Sequence, residues 1–131
     1  MAWRFTPDKP VFIQIGEQIK RSVVSGEYAP GTQIPTVRQI AADAAVNPNT
    51  VQHAFSMLET EGIIISKGTI GKFVTEDEEI LKACRKSMAK KLSSEFLTAM
   101  KELAFSAEDA LAFLSAEKDT TNELKEDNDN E

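Results

Sequence analysis

Between Asn49 and Ser56 lies a cluster of side chains that hydrogen-bond well and do little else: Asn49, Thr50, Gln52, His53 and Ser56. A carboxamide bonds adenine bidentately, and a hydroxyl or neutral imidazole bonds a base edge or a phosphate. Bond-breaking chemistry is poorly served by comparison. His53 is the only histidine and Cys84 the only cysteine, which excludes an intrachain disulfide and a zinc site of four protein ligands. Cys84 falls on the apolar stripe of an expected helix, where buried thiols are usually inert. The chain has no paired acid and base, no metal-ligand cluster, and no phosphate-cradling glycine loop leading into a helix. It is therefore not read as an enzyme, and neither a cofactor nor a metal is expected.

Polar residues on an outer helix face are usually just solvated, so the elements that position them decide the matter. Asn47 before Pro48 is a helix start, with asparagine as cap and proline at the first helical position. Val51, Ala54, Phe55 and Leu58 then recur at helical spacing and face inward. That turns Asn49, Gln52, His53 and Ser56 outward, in the turns where a recognition helix meets base edges. Thr50 and Asn47 stand at the same end, where free backbone amides are expected to hold a phosphate oxygen. Upstream, Thr36 and Gln39 form a capping box for a shorter helix whose inner face is Val37, Ile40, Ala41 and Ala44. Arg38 lies off that face, in reach of a phosphate or a guanine, or of Glu59 or Glu61 as a salt bridge. A tight turn through Ala45 and Val46 joins the two helices.

After Gly62 come two β-type runs, Ile63–Ile65 and Phe73–Val74, separated by a loop with Gly68 and Gly71. This hairpin carries Lys67, Gly68 and Lys72 as contacts to the DNA backbone or minor groove. Ahead of everything, Phe12, Ile15, Ile19 and Val23 mark an amphipathic helix over Pro10–Ser25, and Pro30-Gly31 a turn. Helix, helix, turn, helix and hairpin in that order predict a winged helix-turn-helix over residues 1–75, in a mainly α fold with a small β-wing.

The rest has another character. A long helix is expected from about Glu76 to Phe105, with Leu81, Cys84, Met88, Leu92, Phe96, Met100 and Leu103 three or four residues apart. Ser106 with Asp109 caps a second helix, from Ala107 to about Ala116, bearing Leu111 and Leu114. Residues 76–117 are thus a two-helix arm, and so apolar a stripe is read as a dimer interface rather than a free surface. Residues 118–131 are polar and acidic and are expected to be disordered. The net charge of −6 sits in this half: residues 1–75 carry seven basic against six acidic side chains, residues 76–131 eight against fifteen. A DNA-binding face needs local positive charge, not a positive total. No apolar run approaches the roughly eighteen residues of a membrane span, and no secretory leader is evident, so a cytoplasmic protein without a membrane partner is expected.

Several motifs in order resemble the GntR family of bacterial transcription regulators. They are Pro10-Val11-Phe12, Gln14-Ile15, the Ser25-Gly26 to Pro30-Gly31 turn, Ile34 through Ala41, and Leu58-Glu59 with Glu61-Gly62. The run Val46 to Gln52 resembles the short-tailed YtrA-type branch, whose members carry a small helical dimerisation arm. The resemblance implies a homodimer on a palindromic double-stranded DNA operator, acting as a repressor, often of its own operon and of transporter genes. Arg38, Asn49, Thr50 and Gln52 match DNA-contacting positions, and the glycine turn matches the wing tip. The arginine usual in the wing is absent; Gly68-Thr69 stand at that place. Such regulators usually answer to a signal, which makes an unidentified small-molecule effector a candidate partner. The alternative function is a winged-helix protein-interaction adaptor that does not bind DNA.

Overall fold

The computed structural model describes residues 3–129. Its elements are α1 (Val11–Val24), α2 (Val37–Ala44), α3 (Pro48–Thr60), β1 (Ile64–Ser66), β2 (Lys72–Val74), α4 (Glu78–Glu102) and α5 (Ala107–Asp129). They divide into two compact units, Met1–Lys86 and Ser87–Glu131.

The core of the first unit is built from the residues that periodicity assigns to it. Ile15 and Ile19 of α1 pack with Val51, Ala54, Phe55 and Leu58 of α3, all fully buried. α1 and α3 approach closely at Gly16, where an added Cβ would stand 2.7 Å from Met57 Cε. Ile40 and Ala41 of α2 close the same core. The capping box at α2 is complete: Gln39 N donates to Thr36 Oγ1 at 3.1 Å, and Thr36 N donates to Gln39 Oε1 at 2.8 Å. α2 ends on Ala45 in the left-handed conformation, at φ 56°. An L residue holds that conformation only at a cost. The tight turn between α2 and α3 thus stores some strain.

β1 and β2 pair antiparallel, with Ile64 opposite Val74 and Ser66 opposite Lys72. The sequence reading misses a third partner. Gly31 N donates to Val74 O, Val74 N to Thr32 O and Ile34 N to Lys72 O, at 2.9, 2.9 and 3.0 Å. The hairpin is thereby fastened along β2 to the segment that precedes α2. So short an extended segment has no periodicity of its own to read; its partner lies far along the chain.

α4 begins later than expected because Asp77 caps it, its Oδ1 accepting from Glu79 N at 3.0 Å. Its first two turns belong to the first unit. Leu81 is buried in the core, and Ile80 and Cys84 pack against it. Arg85 Nη2 donates to Val24 O at 3.3 Å. The first compact unit therefore runs to Lys86 rather than ending at residue 75, and it takes in Leu81 and Cys84. They cover the base of their own domain.

The second unit has little core. Among its described residues only Ala110 is buried. α4 ends with Ala104 at φ 68°. α5 opens on the expected cap: Asp109 N donates to Ser106 Oγ at 3.1 Å, and Ser106 N to Asp109 Oδ2 at 2.9 Å. Phe105 and Phe113 meet edge to face with ring centroids 5.2 Å apart. α5 runs on to Asp129, well past the expected end at Ala116. Polarity argues for disorder over 118–131. However, the stretch from Glu117 contains no glycine or proline, and its Glu, Lys and Leu residues are good helix formers. Asn130 and Glu131 lie outside the described residues.

Candidate nucleic-acid interface

Burial of Val51, Ala54, Phe55 and Leu58 fixes the rotation of α3. Asn49, Gln52, His53 and Ser56 are consequently exposed on its other side, and Thr50 is half-buried. His53 lies flat on Phe12 of α1, ring centroids 3.7 Å apart and planes within 10°. This stacking holds the imidazole in one plane on the helix surface, where a base or phosphate can meet its edge.

The start of α3 differs from expectation in one respect. Asn47 Oδ1 accepts from Asn49 N at 2.8 Å, and Asn47 O accepts from Thr50 N at 2.9 Å and Val51 N at 3.4 Å. Pro48 has no N–H. The cap therefore consumes the amides that a phosphate was expected to use, and Asn47 acts first as a structural cap. What this end leaves exposed is the Asn49 side chain, with Thr50 half-buried beside it.

Arg38 is the second residue of α2, exposed and outside any salt bridge among the described residues. Its candidate acidic partners are engaged elsewhere: Glu61 with Lys20 at 2.8 Å, and Glu59 with Lys72. Arg38 keeps its guanidinium available. Lys72 does not keep its ammonium. Half-buried and bound to Glu59, it ties β2 to the end of α3. A β-strand lysine and a helix glutamate separated by the hairpin reveal no such pairing in sequence.

On the wing, Lys67 is exposed, with Nζ 4.5 Å from the centroid of the Phe73 ring. Gly68 takes a left-handed conformation at φ 58°. Gly71, at φ 136°, has no room for a side chain, because a Cβ would fall 2.5 Å from Gln33 Nε2. Gln33 Nε2 in turn donates to Ile70 O at 2.9 Å, bracing the loop. Ile70 itself is 68% exposed at the tip. Sequence reasoning passed over both Gln33 and Ile70; an isoleucine between two glycines at a hairpin tip was the available signal.

Cys84 has no part in this surface. Burial pushes its thiol pKa up, an effect eased by Lys20 and reinforced by Glu61. A protonated, half-covered thiol is a poor nucleophile.

Two helices across a tight turn, an exposed hydrogen-bonding face on the second and a braced hairpin in the same unit define a winged helix-turn-helix transcription regulator. Comparison with known proteins places it more narrowly. Residues 13–74 match the family described as bacterial regulatory proteins, gntR family. The HTH-type transcriptional regulator YhcF of Bacillus subtilis (strain 168) is 34% identical over 108 residues, covering 82% of this chain and 89% of that protein. The HTH-type transcriptional repressor YtrA of the same organism is 38% identical over 68 residues, or 52% of each chain. A solved GntR family transcriptional regulator from Listeria monocytogenes aligns with a TM-score of 0.78 at 32% identity, over 86% of this chain and 98% of that one. The chain belongs to the GntR family and is a DNA-binding transcription regulator.

Proposed function

We propose that this regulator is a homodimeric repressor that binds a palindromic operator in the cytoplasm, controlling its own operon and a transporter. The observation that carries the proposal is the exposed face of α3, with Asn49, Gln52 and His53 turned out of the core, and Arg38 on α2 exposed and outside any salt bridge among the described residues. The repressor part is supported by the similarity to YtrA, which bears that description. No helix of the described residues is long and apolar enough to cross a membrane. No observation favours the adaptor reading.

Dimerisation is proposed on physical grounds. One winged helix makes few contacts, whereas two copies about one helical turn apart make the second contact intramolecular. In the second unit Leu92, Leu97, Leu103, Leu111, Phe113 and Leu114 stand exposed, an apolar area that an isolated chain rarely leaves in water. Met88, Phe96 and Met100 are half-buried there. A second copy of the arm is the proposed cover.

Anisotropy titration on DNA from the protein's own promoter, at several salt concentrations, tests the reading. Sequence-preferring, salt-sensitive binding of two chains per site is expected. Binding that is indifferent to sequence, or that saturates at one chain per site, would reject it.

A further inference from the structure

Away from the α3 face, the first unit contains a cleft of about 380 Å³ that the DNA-binding reading does not use. Trp3 and Tyr28 supply aromatic walls, Pro35 and Ile40 an apolar floor, and Glu27 and Asp43 two carboxylates. No lysine or arginine lines it. The cleft is held in shape from both sides. Trp3 Nε1 donates to Asp43 Oδ2 at 3.1 Å, which pins the N-terminal segment to α2. That segment is also clamped to α1 by Gln14, whose Nε2 donates to Thr6 O and Lys9 O at 2.8 and 2.7 Å. Glu27 makes no salt bridge among the described residues, and Asp43 has its second carboxylate oxygen unused there.

We propose that this cleft binds a small organic cation, with the charged head against the Trp3 and Tyr28 rings and facing the Glu27 and Asp43 carboxylates. Aromatic faces attract a cation through the ring quadrupole, and they do so best when the cation is bulky and weakly hydrated. Two unneutralised carboxylates add Coulomb attraction and disfavour any anionic ligand. The local field is visible in Tyr28, whose hydroxyl is pushed to higher pKa by burial and then by Glu27 and Asp43. A volume of this size holds a head group and a short tail rather than a peptide. The inference is independent of the operator reading, since it concerns another face and needs no DNA.

Trp3 is the only tryptophan, so its fluorescence reports on the cleft alone. The full chain is titrated with choline as probe, and with its uncharged isostere 3,3-dimethyl-1-butanol, at constant ionic strength. A saturable change in Trp3 emission is expected with choline and none with the alcohol. Glu27→Gln, which leaves the Trp3–Asp43 bond in place, is expected to weaken choline binding by about two- to fivefold. Tyr28→Leu should weaken it by a similar factor, about threefold, while Tyr28→Phe preserves it. Circular dichroism checks that each variant is folded. No saturable change with choline, an equal response to the alcohol, or unaltered binding in Glu27→Gln and Tyr28→Leu would overturn the proposal.

Discussion

The two units of this chain use similar apolar residues to opposite ends. In the first, Phe55, Ile15, Ile19 and Leu58 vanish from solvent, and the only large apolar side chains left exposed among its described residues are Ile65 and Ile70 of the wing. In the second, Leu103 and Leu111 are 67% and 64% exposed, and one alanine is the only buried residue described. The first unit is thus complete by itself. The arm is a pair of consecutive helices whose apolar side chains stay exposed among the described residues. Buried core therefore resides in one half of the molecule and uncovered apolar surface in the other, which is the contrast the proposed dimer rests on.

Five variants, the last of them read in a pH titration, can break or sharpen this contrast. The largest effect is expected from Phe55→Ala, which removes a fully buried ring and should destabilise the first unit by about 3–5 kcal/mol. Urea unfolding followed by circular dichroism measures it, and the loss should not depend on protein concentration. Leu111→Glu with Leu114→Glu should do the reverse. Each leucine contributes about 1.5–3 kcal/mol when covered, so sedimentation equilibrium should show self-association weakened by at least about a hundredfold. If the chain was monomeric to begin with, or the double variant still associates, the contrast fails on the arm's side.

Arg38→Ala tests the head's surface rather than its core. Operator affinity should fall about tenfold, with the salt slope reduced by about one and the melting temperature unchanged. Ala45→Gly relieves the left-handed alanine at the helix-helix turn and should stabilise the first unit by about 0.5–1 kcal/mol, read from the same urea curves.

The smallest effect concerns the arm's own cap. Backbone and side-chain hydrogen bonds with Ser106 hold the Asp109 pKa below its ordinary value. A depressed folded pKa means that the cap's contribution is present above the unfolded pKa of about 4 and is lost as pH falls through the lower, folded value. Helical circular dichroism of wild type should therefore decline in that acidic range. Asp109→Asn should remove this component and leave any loss due to other carboxylates.

Much of the fold was legible because its signals are local. Thr36 with Gln39, Asn47 with Pro48, and Ser106 with Asp109 each announce a helix start within four residues, and all three caps form. Helical spacing placed Val51, Ala54, Phe55 and Leu58 inside, and that alone turned Asn49, Gln52 and His53 outward. The errors share another property. The pairing of Lys72 with Glu59 is missed because it joins a strand to a helix on the other side of the wing loop in sequence. Leu81 is grouped with the arm because it continues the same heptad-like stripe, although it is buried in the core of the first unit. The free amides at α3 were miscounted because the cap that made the helix start recognisable also occupies them.

Sequence by itself determined the elements, their order, the inward faces and the residue types offered to a duplex, since caps, turns and periodicity act over a few bonds. Tertiary structure decided which charges stay free, where the head ends within the continuous helix α4, and that Thr32–Ile34 fastens the wing. Those outcomes depend on which distant groups share a surface, and chain closure over many residues leaves no local mark of the pairing it creates.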